Sequence, residues 1–262
     1  MKYKIPFLIC FCSNSLFAQW KDSSEIEMVV YEVMNNAESL ADSLFWYADA
    51  VEKKSASIGY ATGMGSAIRL RGLYYEVNGS YDTAMQYYMD MQQFGIESNA
   101  PLVQAGALSS QFQIHNTLKQ YDAAREKAIR AVAIAKANGF NKQLAVNYSN
   151  IGITYRRQKK YDSAFYYYKQ ALVIRTIMKD SNGISNTNIN ISSLLIYMEK
   201  YKEALDYIIP NIGFHKSKNK QADLWYDYVN ASTAYGYMGV SSKAVAYLDS
   251  ALIIAKETQN TS

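Results

Sequence analysis

A repeat with a 40-residue period constrains this chain more than any other feature of its sequence. A tetrapeptide of the form Tyr-Asp-x-Ala recurs at that spacing, although its fourth copy has lysine in place of aspartate. The copies begin at Tyr81, Tyr121, Tyr161 and Tyr201, and a fifth copy at Ser241 keeps only the alanine. Because one repeat unit buries its apolar face only against its neighbours, this period predicts a fold of stacked repeats.

Each unit is predicted to contain two helices, A and then B. The apolar positions fall three and four residues apart in two stretches of about 16 residues, with a short break such as residues 78–80 between them. Gly72 and Gly152 on helix A, with the alanine of the tetrapeptide on helix B, predict a close approach of the two helices. The aspartates of the tetrapeptide are expected to cap the start of helix B: Asp82, Asp122 and Asp162.

These columns resemble the motif of the tetratricopeptide repeat (TPR) family. The best unit follows the family's order of small, aromatic, alanine, aromatic and alanine residues at Gly152, Tyr155, Ala164, Tyr168 and Ala171. The resemblance covers residues 60–258, with a weaker unit at residues 24–58. The period exceeds the usual TPR length of about 34 residues. This long form is similar to the N-terminal TPR regions of bacterial sensor kinases and transcription regulators.

Three residues depart from the family pattern. Phe112 replaces the small residue of helix A in unit two, and Asn211 replaces an alanine of helix B in unit four. Pro210 is expected to shorten or bend that same helix B, which would place His215 near a break. We therefore expect units two and four to pack less regularly than the others.

The resemblance implies an all-α fold, a right-handed superhelical solenoid of about five to six antiparallel helical hairpins. Helix A of each hairpin would line the concave side, where this family usually binds a segment of another protein. We divide the chain into a signal peptide at residues 1–18, a degenerate N-terminal repeat or cap at 19–58, five 40-residue repeats at 59–258 and a tail at 259–262.

Residues 1–18 have the pattern of an export signal. Lys2 and Lys4 precede a mostly apolar run from Ile5 to Phe17, and Ala18 suits the position before a cleavage site. The alternative is a buried N-terminal helix. Export through this signal predicts a periplasmic or secreted protein.

Composition argues against several classes of partner and site. The chain has 27 basic and 23 acidic residues, and cleavage of a signal that holds two lysines and no acid leaves 25 against 23. So small an excess does not favour nucleic acid, and no second apolar run has the length of a membrane span. The two cysteines, Cys10 and Cys12, would leave with the signal. We expect no metal and no cofactor.

Two columns of helix A carry the candidate binding residues. Asn150, Asn190 and Asn230 recur with the period of the repeat, and their carboxamides can pair with the backbone of an extended peptide. The alternative is that these amides bond to neighbouring helices and hold the stack together. The second column contains Arg157, Tyr197 and Tyr237, which could bind a carboxylate and flank a side chain or a sugar, or else are solvated residues at hairpin ends.

No catalytic residue is identified, because the common catalytic motifs are absent and the two histidines, His115 and His215, share no repeat phase. We predict an exported, non-enzymatic TPR scaffold that binds a peptide or protein segment in its groove. The alternative is the extracytoplasmic input region of a signal-transduction regulator, a kinase or a transcription factor, whose output part lies on a segment outside this sequence. Ala251, Leu252 and Ile254 on the last helix are expected to lack cover. A homodimer or a downstream segment would then bury them.

Overall fold

The computed structural model describes residues 22–259, and every regular element in that range is helical. The α-helices are α1 (Ser23–Asn35), α2 (Leu44–Ser57), α3 (Ala61–Val77), α4 (Tyr81–Glu97), α5 (Pro101–Thr117), α6 (Tyr121–Ala137), α7 (Asn141–Arg157), α8 (Tyr161–Ile177), α9 (Ser181–Tyr197), α10 (Tyr201–Ser217), α11 (Gln221–Tyr237) and α12 (Ser241–Gln259). The predicted all-α fold of helical hairpins is confirmed. The predicted signal peptide at residues 1–18 and the end of the predicted tail lie outside the described residues.

Helices α3 to α11 follow one geometry. Each has 17 residues. Their first residues are evenly spaced along the chain, so that one A and B pair fills one period of the repeat. Three residues join consecutive helices, and the middle residue has a positive φ at Gly59, Gly79, Asn99, Lys119, Gly139, Lys159, Lys179, Glu199, Asn219 and Gly239. The next amide bonds to a carbonyl five residues earlier, as from Ser80 to Tyr75 at 2.8 Å, and so closes the helix end.

Glycines on helix A make room for tyrosine rings on helix B. A Cβ atom on Gly72 would lie 2.6 Å from Cε1 of Tyr88, and one on Gly152 would lie 2.6 Å from Cε1 of Tyr168. Both rings are buried, and so are the alanines of the tetrapeptide: Ala84, Ala124, Ala164 and Ala204. The predicted close approach of helices A and B is confirmed, and its result is a cleft that holds a large ring.

In unit two the large residue lies on helix A and the small residue on helix B, the reverse of the other units. Phe112 occupies the column of Gly72 and Gly152, while Ala128 occupies the column of the buried tyrosines. Phe112 and Ala128 are both fully buried in one apolar cluster. The pair therefore keeps one large and one small member, and the expected irregularity does not extend to the length of α5 or α6.

Two local predictions need correction. Pro210 lies inside α10, which still has 17 residues, so the predicted shortening does not occur, and His215 lies within the helix and not near a break. Pro210 removes the backbone donor for the carbonyl of Asp206, four residues earlier. Both residues are exposed, so water can bond to that carbonyl.

The tetrapeptide aspartates do not occupy the capping position. The N-cap residues of α4, α6 and α8 precede the tyrosine of the tetrapeptide, and none of them makes a side-chain capping bond. The aspartates lie one position inside the first turn, where they still complement the helix dipole. Asp122 accepts hydrogen bonds from the side chains of Arg125 and Gln158 instead.

The described helices form two compact units whose boundary falls within α5, residues 22–107 and residues 108–259. The core of the first includes Ile26, Leu44 and Leu70, and the core of the second includes Tyr168 and Ile191. No helix within residues 22–259 is long and apolar enough to cross a membrane.

The outer face of α12 differs from the prediction. Ala251 and Ile254 are buried against the core of the second unit, because α12 packs on α11, and only Leu252 of the three predicted residues is exposed. Val245, Leu248 and Ile253 are exposed beside it.

Candidate functional site

The three column asparagines have different surroundings in the second unit. Asn150 on α7 is buried, and its Nδ2 makes no hydrogen bond within the described residues. Asn190 on α9 is half-buried. Asn230 on α11 is also half-buried and donates from Nδ2 to Oγ of Ser193 on α9 at 3.4 Å, a long bond between consecutive A helices. Asn230 therefore contacts a neighbouring helix, as the alternative interpretation of this column expected, while its amide stays partly open to a ligand.

An open cavity of about 480 Å³ brings together three of the six predicted site residues. Asn230, Tyr197 and Tyr237 all line it. The other lining residues are Ser193, Ile196, Glu199, Tyr201 and Thr233. Asn150, Asn190 and Arg157 do not line this cavity, and a second cavity of about 580 Å³ in the first unit contains none of the predicted residues.

Stacked tyrosine pairs form the most regular part of this surface. The ring of Tyr237 lies 5.0 Å from that of Tyr201 with an interplanar angle of 7°. One repeat earlier, Tyr197 lies 6.2 Å from Tyr161 at 15°. In each pair the last residue of a helix A rests on the first residue of the preceding helix B. Tyr197 and Tyr237 remain 61% and 70% exposed, so each offers a ring to solvent that its partner already orients.

Negative charge lies beside these rings. Glu199 is the positive-φ residue of the turn between α9 and α10, and it lines the cavity next to Tyr201. The pKa of Tyr201 is raised, first by partial desolvation and then by the Glu199 carboxylate and Tyr237. The cavity therefore combines aromatic faces, one carboxylate and the polar groups of Asn230, Ser193 and Thr233.

Comparison with known proteins identifies the repeats. Residues 113–177 match the family model described as tetratricopeptide repeat. The chain contains TPR repeats. No curated protein matches the sequence at a significant level.

Solved TPR-like structures resemble the whole fold. BtubC from P. vanneervenii aligns with a TM-score of 0.75 at 18% identity, over 85% of this chain and 92% of that one. The apo form of RapI gives 0.59 at 14% identity, over 94% and 89% of the two chains. A STAND protein (signal transduction ATPase with numerous domains) with a tetratricopeptide repeat sensor, from Pyrococcus horikoshii, gives 0.67 at 15% identity, over 91% of this chain and 38% of that one. At these identities the likeness establishes the fold alone.

A buried polar network that was not predicted from the sequence links three consecutive helices, α9, α10 and α11. His215 on α10 lies 2.6 Å through Nδ1 from Oδ2 of Asp227 on α11, and 2.5 Å through Nε2 from Oγ of Ser185 on α9. Asn211 donates from Nδ2 to the carbonyl of Ser185 at 2.9 Å. Desolvation raises the pKa of Asp227 to about 6, although the hydrogen bond from His215 opposes the shift.

This network has the residue types of a catalytic triad, but a substrate has no access to them. Ser185, His215 and Asp227 are at most 2% exposed, so a substrate cannot reach the serine hydroxyl unless the helices separate. TPR folds are typically non-enzymatic scaffolds, and the hydrogen bonds of this network link α9, α10 and α11. Within residues 22–259, no group of three or more histidine, cysteine or acidic residues is placed to bind a metal ion.

A sequence signal for the network does exist in the repeat columns. Positions 135, 175 and 215 hold Ala135, Arg175 and His215, while the residues twelve positions later are Asn147, Thr187 and Asp227. Arg175 and Thr187 are also buried and hydrogen-bonded to each other. One repeat before Ala135 and Asn147 the two columns hold Gly95 and Ala107, whereas both columns are polar at 175 and 187 and again at 215 and 227. This joint change from small to polar residues would have indicated the pairing.

Proposed function

We propose that this chain is a non-enzymatic TPR scaffold that binds an extended peptide segment of another protein on the helix A face of α9 and α11. The TPR fold supports the general role in protein–protein interaction. The observation that carries the finer proposal is the exposed ring of Tyr237, stacked on Tyr201 beside the half-buried amide of Asn230 in an open cavity of about 480 Å³.

The chemistry of this cavity suits a peptide. An extended chain offers backbone donors and acceptors that pair with a carboxamide, whatever its sequence, and its side chains supply apolar area to the tyrosine rings. Because Tyr197 and Tyr237 already rest on partner rings, little side-chain entropy is lost when a ligand packs on them. Aromatic anchors of this kind are common sites of concentrated binding energy.

Selection from a displayed library of random linear peptides tests the proposal. The purified protein is expected to enrich peptides whose affinity falls about 30-fold in a Tyr237→Ala variant, the loss typical of an interface hot spot. Tyr166→Ala is the matched control, because Tyr166 is 58% exposed on the helix B α8 and away from the cavity. Equal losses in both variants, or no enriched peptide at all, would contradict the proposed site.

A second candidate role is the input region of a signal-transduction regulator. The exposed apolar residues Val245, Leu248, Leu252 and Ile253 on α12 favour a covering element, either a second copy or another segment. The likeness to a STAND protein with a tetratricopeptide repeat sensor agrees with this role in fold alone. Sedimentation of the purified protein tests the homodimer: concentration-dependent association that Leu248→Lys abolishes supports it, and a soluble monomer at high concentration opposes it.

We further propose export through residues 1–18. The two lysines, the apolar run and Ala18 support this assignment. N-terminal sequencing of the protein from its native cells is expected to begin at Gln19. A sequence that begins at Met1 would overturn the proposal.

A further inference from the structure

The cavity beside Tyr237 has a counterpart one repeat earlier in the chain. Both surfaces combine a stacked tyrosine pair with a half-buried asparagine of helix A. These residues are Tyr161, Tyr197 and Asn190 at the first, and Tyr201, Tyr237 and Asn230 at the second. We call them the front subsite and the rear subsite. Tyr197 belongs to both, because it also lines the rear cavity.

The two subsites differ in charge. The rear subsite has Glu199 at the positive-φ position of its turn, and the front subsite has Lys159 at the same position. Their φ angles are both 59°, so the two side chains leave equivalent turns from the same backbone conformation. Arg157 of the front subsite takes the column position of Tyr197. The front subsite is therefore basic, while the rear subsite is acidic and aromatic.

These charges are available to a ligand. Arg157, Lys159 and Glu199 are all exposed, and none of them belongs to an ion pair within residues 22–259. Lys200 follows Glu199 in sequence but does not line the cavity. Glu199 lines the same cavity as Tyr201. The pKa of Tyr201 is raised, first by desolvation and then by the nearby Glu199 carboxylate.

We propose that the rear subsite binds a lysine or arginine side chain of the peptide between Tyr197, Tyr237 and Glu199, while the front subsite binds an acidic side chain through Arg157 and Lys159. This inference rests on the proposed peptide-binding function and adds the chemistry and direction of the ligand. A cation over a tyrosine face gains from the ring quadrupole, and the carboxylate adds a direct ion pair.

The geometry also limits the spacing of the two charges in the ligand. Arg157 ends α7 and Tyr197 ends α9, so the two charge sites lie one repeat apart on consecutive A helices. The equivalent step from α9 to α11 brings two A helices into contact, and packed helices lie about 8–10 Å apart. An extended peptide advances about 3.3 Å per residue. The acidic and basic side chains are therefore expected about three residues apart, and their order fixes the direction of the peptide.

A charge-reversal variant tests the assignment with the same peptide selection. Glu199→Lys gives the rear subsite the residue that the front subsite already has at φ 59°, so the turn accommodates it. Glu203→Lys on α10 is the matched control, because Glu203 is exposed and does not line the cavity. Far-UV circular dichroism checks that both variants fold.

The wild-type protein is expected to select peptides with a lysine or arginine about three residues from an acid. Replacement of that basic residue by glutamine should lower affinity about tenfold on the wild type and on Glu203→Lys, with little change on Glu199→Lys. Selected peptides that lose affinity on Tyr237→Ala but show no basic preference would refute this inference and leave the proposed function standing. No selected peptide on the wild type would refute both.

Discussion

Gly152 and Tyr168 provide a direct test of how the hairpins pack. A new methyl group on Gly152 would lie 2.6 Å and 2.7 Å from two ring carbons of Tyr168, where ordinary contact begins near 3.4 Å. The ring is fully buried and cannot move aside into solvent. We therefore expect Gly152→Ala to destabilise the wild type but to stabilise a Tyr168→Ala variant, in which the methyl group occupies space that the ring has left.

The magnitudes follow from two opposing effects. Overpacking of a core costs about 1–3 kcal/mol, while alanine in place of glycine inside a helix gains about 1 kcal/mol. In the wild type the net cost of Gly152→Ala is then up to about 2 kcal/mol. In the Tyr168→Ala background, which itself loses about 3–5 kcal/mol, only the gain of about 1 kcal/mol remains. The coupling between the two sites is about 1–3 kcal/mol.

Urea unfolding followed by far-UV circular dichroism measures all four members of this double-mutant cycle. Gly213→Ala on α10 is the control, because no atom outside its own neighbourhood lies within 4 Å of the added Cβ. It should stabilise both backgrounds by the same amount, about 1 kcal/mol. Additive effects of Gly152→Ala and Tyr168→Ala on the free energy of unfolding would refute the view that Gly152 is needed to leave space for the Tyr168 ring.

Two further predictions concern the buried network and the turns. Asp227→Asn removes a carboxyl whose folded-state pKa is raised from 3.8 to about 6, so the folded wild type binds this proton more tightly than the unfolded chain. The free energy of unfolding of the wild type, relative to that of the variant, should therefore rise by about 2–3 kcal/mol as the pH falls from about 7 to about 4. This gain should disappear as the pH rises through about 6, the folded-state pKa. A flat difference in urea unfolding across this range would contradict the assignment. Lys179→Gly at φ 55° should stabilise by about 0.5–1 kcal/mol, and Gly139→Ala at φ 69° should destabilise by about 1 kcal/mol. Thermal unfolding measures both, and equal melting temperatures would contradict the role of backbone conformation.

The helical hairpins can be predicted from sequence because the tetrapeptide at Tyr81, Tyr121 and Tyr161 marks the start of each helix B. The constant spacing of these starts then places helix A and the turns between them. The turns are harder to predict, since lysine and glutamate occupy positive-φ positions that usually favour glycine. Lys159 and Glu199 take this conformation because the next amide closes the preceding helix, at 2.9 Å from Lys160 to Tyr155 and 2.8 Å from Lys200 to Leu195.

The candidate site is predictable only in part. Tyr197, Tyr237 and Asn230 do share a cavity, because their columns lie on one face of consecutive A helices. Asn150 belongs to the same column as Asn230 but is buried, since depth depends on the packing of neighbouring units and not on periodicity. The pairing of His215 with Asp227 could not be predicted from acids close to His215 in sequence, because Asp227 lies on the next helix.

The identical three-residue junctions have a consequence for recombination of this chain. Since the link between two hairpins matches the link inside one from α3 onward, removal of one full period that begins at the start of any helix from α3 to α10 rejoins a helix end to a helix start of the same kind. Deletion of residues 161–200 would connect Lys160 to Tyr201 and place Arg157 and Lys159 beside the column of Tyr237. Loss or duplication of one repeat would thereby change the order of charged residues along the groove and keep the links between helices. Related chains could then acquire new ligand preferences without any point substitution.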